Sequence, residues 1–346
     1  MKSLVLKYLE ESIFFPYLTS DISELSFNGK EVYLNYVNKI REKLDLEFNN
    51  EQAYEFVRHI ADLTGKNFNN TNPILDVSFA NYRFNAVHSS VASSQNEPAI
   101  TFIIRIIYPG LRIKEDDESL CPKVVHALLK EIVKKNYSIM ISGVTGSGKS
   151  ELQKYLISLI PKSQRIVMIE DTYETHIKEL IPGLDINVWL AKNQTITYHD
   201  NLQMLIKAGL RNNPDWLMIS EVRGSEMLDL LQTMTSGLAI ITTIHAQSAL
   251  DTPDRMLQLL SENKVLNIEQ IKKEIFSHLH FYLHMKKVVL EDGTLKRYLG
   301  SIAVAYESNS QTKIYEIYSQ DQHSFTKLDE QSSKLLNIPV NWFERG

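Results

Sequence analysis

The stretch ISGVTGSGKSELQ, Ile141 to Gln153, constrains this chain more than any other. Gly143, four intervening residues, then Gly148-Lys149-Ser150 is the spacing of a phosphate-binding loop, which needs a buried strand before it and a helix after it. Both are legible. Tyr137 to Ser142, YSIMIS, is a short apolar run suited to a buried parallel strand, and ELQKYLISLI sets Leu152, Leu156 and Ile160 at helical spacing. Glycines let the backbone wrap so that successive N–H groups point inward, and the helix N-terminus adds partial positive charge. Gly143, Val144, Thr145, Gly146, Ser147, Gly148, Lys149, Ser150 and Glu151 are therefore the expected nucleotide-binding segment. Lys149 is expected on the β and γ phosphates of ATP, with the Ser150 hydroxyl on Mg2+.

From about residue 123 to 306, strand-like runs alternate with helical ones: YSIMIS, RIVMIE, DWLMIS, AIITTI. That alternation predicts an α/β fold in which a P-loop domain with a mainly parallel sheet follows a smaller α+β N-terminal domain. The first domain is expected over residues 1–108. There Asn28-Gly29 reads as a hairpin turn, and Ala53, Phe56, Val57, Ile60 and Leu63 share one helical face that stops at Gly65. The proline, glycine and acidic residues of 109–122 read as a linker. Late in the chain, FYLHMKKVVLEDGTLKRYLGSIAV reads as antiparallel strands turning at Asp292-Gly293, and 307–346 as a polar, weakly patterned tail.

A net charge of −5 argues against a chain that coats nucleic acid or an anionic membrane through bulk charge, and no direct nucleic-acid binding is expected. The single cysteine, Cys121, cannot form an internal disulfide, and the histidines show no pairing with it that suggests zinc. Leu6, Leu9 and Ile13 have helical spacing near the start, but Glu10 and Glu11 stand where a signal peptide would be apolar. No run approaches the apolar length of a membrane span, so a chain that neither crosses a membrane nor is secreted is expected. Lys134-Lys135 and Lys286-Lys287 are short basic pairs that read as solvated surface or an aid to docking.

In a doubly wound sheet, ligands bind beyond the carboxyl ends of the strands. RIVMIE ends in Glu170 with Asp171 next, DWLMIS is followed by Glu221 and Arg223, and AIITTI by His245. Phosphoryl transfer to water needs charge neutralisation and a group that orients and deprotonates water, and Glu170 and Glu221 are the candidates.

Taken together, IEDTYE, LRNNPDWLMISEVRGSE and TSGLAIITTIHA resemble the secretion and pilus traffic ATPases, which serve type II and type IV secretion, conjugation and type IV pili. The likeness covers about residues 20 to 305. ISELSFNG, Ile22 to Gly29, is similar to the opening of the conjugation and tight-adherence pilus branch. The resemblance implies a RecA-like ATPase domain working as a homo-hexamer, in the cytoplasm at the inner face of the cell membrane, docked peripherally on membrane platform proteins. It also implies phosphate contacts from Arg83 in NYRFNAV and Arg105 in FIIRII. Glu170 is the expected general base, with Glu221 as the other candidate and as a ligand of Mg2+, directly or through water. His245 is expected to report the γ-phosphate. The family's usual Thr-Gly-His is Ser236-Gly237-Leu238 here, and Ser220 stands where glycine is common. A non-hydrolysing nucleotide-binding scaffold, or a small-molecule P-loop kinase, are the alternatives.

Overall fold

The computed structural model describes residues 2–108, 110–171, 175–191, 198–224, 226–261, 267–308 and 311–344. The chain divides into two compact units, Met1–Pro109 with Val289–Lys296, and Gly110–Val288 with Arg297–Gly346.

In the first unit, α1 (Lys2–Glu10) precedes β1 (Ile22–Phe27), β2 (Val32–Tyr36) and β3 (Glu42–Leu44). After α2 (Asn50–Thr64) come β4 (Ile74–Phe79), β5 (Tyr82–Val87), a short ribbon of β6 (Ser93–Ser94) and β7 (Glu97–Pro98), and β8 (Thr101–Ile106). The main sheet runs β3-β2-β1-β8-β5-β4 with every neighbouring pair antiparallel. Helix α2 begins with a reciprocal cap between Asn49 and Gln52 and stops at Gly65, whose φ of 68° is left-handed. Its Ala53, Phe56, Val57 and Ile60 are buried and Leu63 is partly so. Helix α1 buries Val5 and Leu9, while Ile13 falls beyond it and is exposed. Phe102 is the centre of this core: the rings of Phe14, Phe27, Phe48, Phe56 and Phe84 lie 5.4, 5.6, 6.0, 5.5 and 5.7 Å from its own.

The second unit continues with α3 (Lys123–Lys134), β9 (Ser138–Gly143), α4 (Lys149–Ser158), β10 (Arg165–Glu170), α5 (Ile177–Leu180) and β11 (Asp185–Leu190). Then follow α6 (Tyr198–Leu210), β12 (Trp216–Val222), α7 (Glu226–Thr235), β13 (Ala239–Ile244), α8 (Thr252–Ser261) and α9 (Ile268–His278). The chain closes with β14 (Leu279–Val289) and β15 (Leu295–Ser308), which belong to this unit except for Val289–Lys296 at their turn, and then β16 (Gln311–Ser319), β17 (Ser324–Phe325) and α10 (Glu330–Leu336). The unit's sheet order is β11-β10-β12-β13-β9-β14-β15-β16-β17. The six strands from β11 to β14 pair in parallel.

Strand alternation explains the two layers of helices. Ile139, Ile141, Ile166, Met168, Trp216 and Met218 face a core shared with α3 and α4. Met140, Val167, Ile169, Leu217 and Ile219 face the other, shared with α6 to α9. With both faces covered, the strands read as continuous apolar runs.

Residues 110–122 lie within this second unit, where Ile113, Leu120 and Cys121 are buried. Burial drives the Cys121 thiol pKa far up. Beyond Glu307, the sequence that reads as a polar tail forms β16 and α10 instead. Tyr137 donates its hydroxyl to Leu336 O at 2.8 Å, and Trp342 Nε1 donates to Val124 O at 3.3 Å. Strand β16 lies towards the sheet edge and buries mainly its last three residues, so its pattern is muted. Among the described residues no helix is long and apolar enough to cross a membrane.

Phe102→Ala should cost the first unit about 3–5 kcal/mol. Hydrogen exchange should show protection lost in β1, β5 and β8 while β9 to β13 keep theirs; equal loss everywhere would contradict this division of the cores.

Candidate functional site

The loop from Gly143 to Gly148 leaves the end of β9 and enters α4. Gly143 is required: a Cβ there would meet Met285 O at 2.5 Å, and its φ is 148°. Gly148, with φ 98°, turns the chain into the helix. Lys149 is buried, and its ammonium curls back to donate to Gly143 O at 2.9 Å and Val144 O at 3.2 Å. Burial lowers its pKa and the nearby Glu221 carboxylate opposes that shift. The Ser147 side chain is buried and its hydroxyl has no hydrogen-bond partner. A wrapped loop with a buried cation at its centre fits a polyphosphate. Ser150 is exposed at the start of α4. Glu151 turns its Oε1 to the buried Lys154, whose ammonium donates to it at 3.0 Å.

The parallel register sets what lies beside the loop. Ile244 pairs with Ser142, so His245 emerges next to Gly143, and its Nδ1 lies 3.4 Å from Lys149 Nζ. His245 Nε2 lies 2.6 Å from Glu221 Oε1. Glu221 sits where the β12–β13 register slips between Ile219 and Val222, and such a bulge re-aims a side chain. Arg223 donates to Glu221 Oε2 from Nε at 2.9 Å and Nη2 at 2.7 Å, and its Nη1 lies 3.4 Å from Asp171 Oδ2. Buried Glu226 accepts from the Arg223 and Gly224 N–H groups at 2.6 and 2.9 Å, which fixes this turn. Lys149, His245, Glu221, Arg223 and Asp171 thus form one continuous chain of polar contacts.

Glu170 is placed differently. It is buried at the end of β10, and its Oε1 accepts from Thr175 N–H at 3.0 Å. Thr172, Tyr173 and Glu174 of IEDTYE lie outside the described residues. Arg83 and Arg105 stand directly opposite each other across β5 and β8 in the first unit. Like charges at facing positions repel, and Asp76 and Glu24 lie 3.4 and 3.8 Å from them. Among the described residues no group of three or more His, Cys, Asp or Glu could hold a metal ion. That suits magnesium, which takes one or two protein oxygens and otherwise uses waters and substrate phosphates. Ser150 and Glu221 are donors of the right kind.

Sequence reasoning passed over two contributors. Gln153 on α4 donates to Ile219 O at 3.0 Å and Ile241 O at 3.1 Å, tying the helix to β12 and β13 just below the site. Arg297 on β15 donates from Nε to Gly146 O at 2.6 Å. Neither has a local signal, because each acts through backbone carbonyls distant in sequence.

Residues 89–322 match the family described as Type II/IV secretion system protein, and the chain belongs to that family. It is 31% identical over 344 residues to the uncharacterized protein pXO2-25 of Bacillus anthracis, covering 93% of this chain and 74% of that one. It is 30% identical over 166 residues to the type IV secretion system protein VirB11 of Bartonella quintana, covering 47% of this chain and 46% of the relative, so the match spans about half the length of each. The ATPase DotB of Legionella pneumophila has a similar fold, with a TM-score of 0.61 over 80% of this chain and 75% of that one at 19% identity.

Behind the loop, Ser142 Oγ lies 2.9 Å from His284 Nδ1 on β14. Burial, then Lys286, press the His284 pKa down from 6.5 to about 4; Lys149 adds to this, and Asp251 and Asp321 oppose it. The unfolded chain therefore binds more protons between these values, so stability is full above about 6.5 and falls as pH drops towards 4. Thermal unfolding midpoints should decline from pH 6.5 to 5 more steeply in the wild type than in His284→Asn. Parallel declines would show that His284 is not the group responsible.

Proposed function

We propose that this chain is a Mg-ATP hydrolase that powers a secretion, conjugation or pilus-assembly machine, working as a hexameric ring at the cytoplasmic face of a membrane. The observation that carries the reading is the chain of contacts from Lys149 through His245 to Glu221. It joins the phosphate loop to an acidic group at the end of the next strand but one, where a carboxylate can orient and deprotonate an attacking water. The parallel sheet and its loop support a RecA-like ATPase domain, and the family supports a place in a secretion machine.

In this reading Lys149 exchanges its loop carbonyls for phosphate oxygens when ATP binds, at little cost because the ammonium is already desolvated. Ser150, with Glu221 directly or through water, would hold Mg2+, which would supply charge neutralisation at the phosphates. Glu221 orients the attacking water and accepts its proton as the γ-phosphate passes to that water, leaving ADP and inorganic phosphate. Glu221 is taken for this role because it connects to Lys149 through His245, whereas Glu170, the other candidate, is buried at the turn after β10 with one oxygen on the Thr175 N–H. His245, touching both Lys149 and Glu221, registers whether the γ-phosphate is present. Arg83 and Arg105 are assigned phosphate contacts that lower the barrier.

Lys149→Ala should abolish Mg-ATP binding by calorimetry. Glu221→Gln should bind Mg-ATP yet lose about 10²-fold or more of kcat, and light scattering of that variant with Mg-ATP should give a mass near six protomers. Wild-type turnover in Glu221→Gln would remove Glu221 from the role. A wild-type chain that binds Mg-ATP without hydrolysing it would instead be a scaffold.

Arg105→Ala and Arg83→Ala should each lower kcat by about 10-fold or more with Mg-ATP affinity changed less, since their charge acts on the transition state. Unchanged hydrolysis would remove the first unit from the chemistry.

A further inference from the structure

The hairpin of β14 and β15 flanks the phosphate loop on the side away from Glu221, and the reaction described above uses none of its charges. β14 runs beside β9 with His284 opposite Ser142 and Met285 opposite Gly143, which carries Lys286 and Lys287 along the flank of the loop. The two lysines differ. Lys286 is bound to Asp321. Lys287 is exposed and forms no ion pair among the described residues, and a Cβ on Gly146 would lie 3.8 Å from its ammonium.

On β15, the Arg297 Nε–H donates to Gly146 O, and its carbon chain lies along the loop, where a Cβ on Gly148 would come within 3.7 Å of its Cδ. The Ser147 N–H donates to Val144 O at 3.2 Å. The peptide between Gly146 and Ser147 is therefore held at both its oxygen and its hydrogen. A planar unit held at both ends cannot turn over, so this part of the loop is fixed before a ligand arrives. Burial, and after it the like charge of Arg112, lower the Arg297 pKa. Cations gathered against their mutual repulsion are relieved by an anion.

We propose that the β14–β15 hairpin is a second phosphate-binding element, in which Arg297 positions the loop through the Gly146 carbonyl and Lys287 places its ammonium on the polyphosphate of the bound nucleotide. The assignment rests on the nucleotide-binding reading above. It differs from that reading in making the hairpin, and not only the loop and the acidic strands, part of the site.

The test is calorimetric titration of the full chain with inorganic tripolyphosphate and with Mg-ATP, using wild type, Lys287→Gln, Arg297→Ala and Lys134→Gln. Lys134 is an exposed lysine in the last turn of α3. Lys287→Gln should weaken both ligands about tenfold, with the difference shrinking at high salt because its charge is exposed. Arg297→Ala should weaken both at least as much, with little salt dependence and with the thermal midpoint of the ligand-free protein unchanged. Lys134→Gln should match the wild type. Wild-type affinity in both hairpin variants overturns the proposal and leaves nucleotide binding intact, whereas a wild type that binds neither ligand overturns both. If Arg297→Ala also lowers the ligand-free midpoint, its loss is structural, and Lys287→Gln decides: a salt-sensitive loss supports the proposal and wild-type affinity sinks it.

Discussion

The second unit depends on one close approach of two backbones. At Gly143 the chain passes so near Met285 O that a Cβ would stand 2.5 Å from it. This contact lets β14 pair with β9 to the last residue before the loop, which puts the loop between β13 on one side and the β14–β15 hairpin on the other. Any side chain at 143 would force the strands apart at the point where the phosphate loop begins. The acidic and histidine groups reach the site from β12 and β13, and the lysine and arginine of the hairpin reach it from β14 and β15. The central position of β9 makes both approaches possible.

The polar groups on the β13 side are held by their own geometry. Lys149 is buried against carbonyl oxygens and an imidazole nitrogen, a setting that disfavours its charge, and Glu221 is the first counterweight. Glu221 is itself steadied by the Arg223 fork, which also lies close to Asp171. A cation whose solvent has been replaced by loop carbonyls is ready to exchange them for stronger acceptors. The reach from Asp171 to Lys149 crosses three strand ends, so a change of charge at Lys149 has a short polar route to the end of β10.

Much of this architecture was legible in the sequence because buried parallel strands leave a strong trace. YSIMIS, RIVMIE, DWLMIS and AIITTI are apolar on both faces, and the structure has β9, β10, β12 and β13 there. The helix over Asn50–Thr64 with its Gly65 stop, and the turn at Asp292-Gly293, were equally plain, since caps and left-handed glycines are local. What escaped was half-buried or distant. Strand β11 lies on the sheet edge and alternates weakly, and β16 and α10 bury only part of their surface. Glu221 could be picked from its strand, but the bulge that turns it towards His245 could not. Arg297 meets Gly146 from about 150 positions away, and nothing in either segment announces the other.

The Leu238 substitution bears on how the site works. Leu238 precedes β13 and is packed against the core shared with α6 to α9, whereas His245 follows the far end of the same strand. Seven residues of extended chain separate them by roughly 23 Å at the usual rise per residue. A histidine at 238 would therefore stand at the edge of the sheet opposite the phosphate loop, too far to touch Lys149 or Glu221. Its replacement by leucine leaves the chain of contacts around the loop intact and adds apolar packing at the other end. Ser220 leaves the tie between β12 and β13 as a glycine would, since the Thr243 hydroxyl donates to its backbone carbonyl at 2.7 Å, while its own hydroxyl is buried without a hydrogen-bond partner. Neither departure removes a member of the chain of contacts from Lys149 through His245, Glu221 and Arg223 to Asp171.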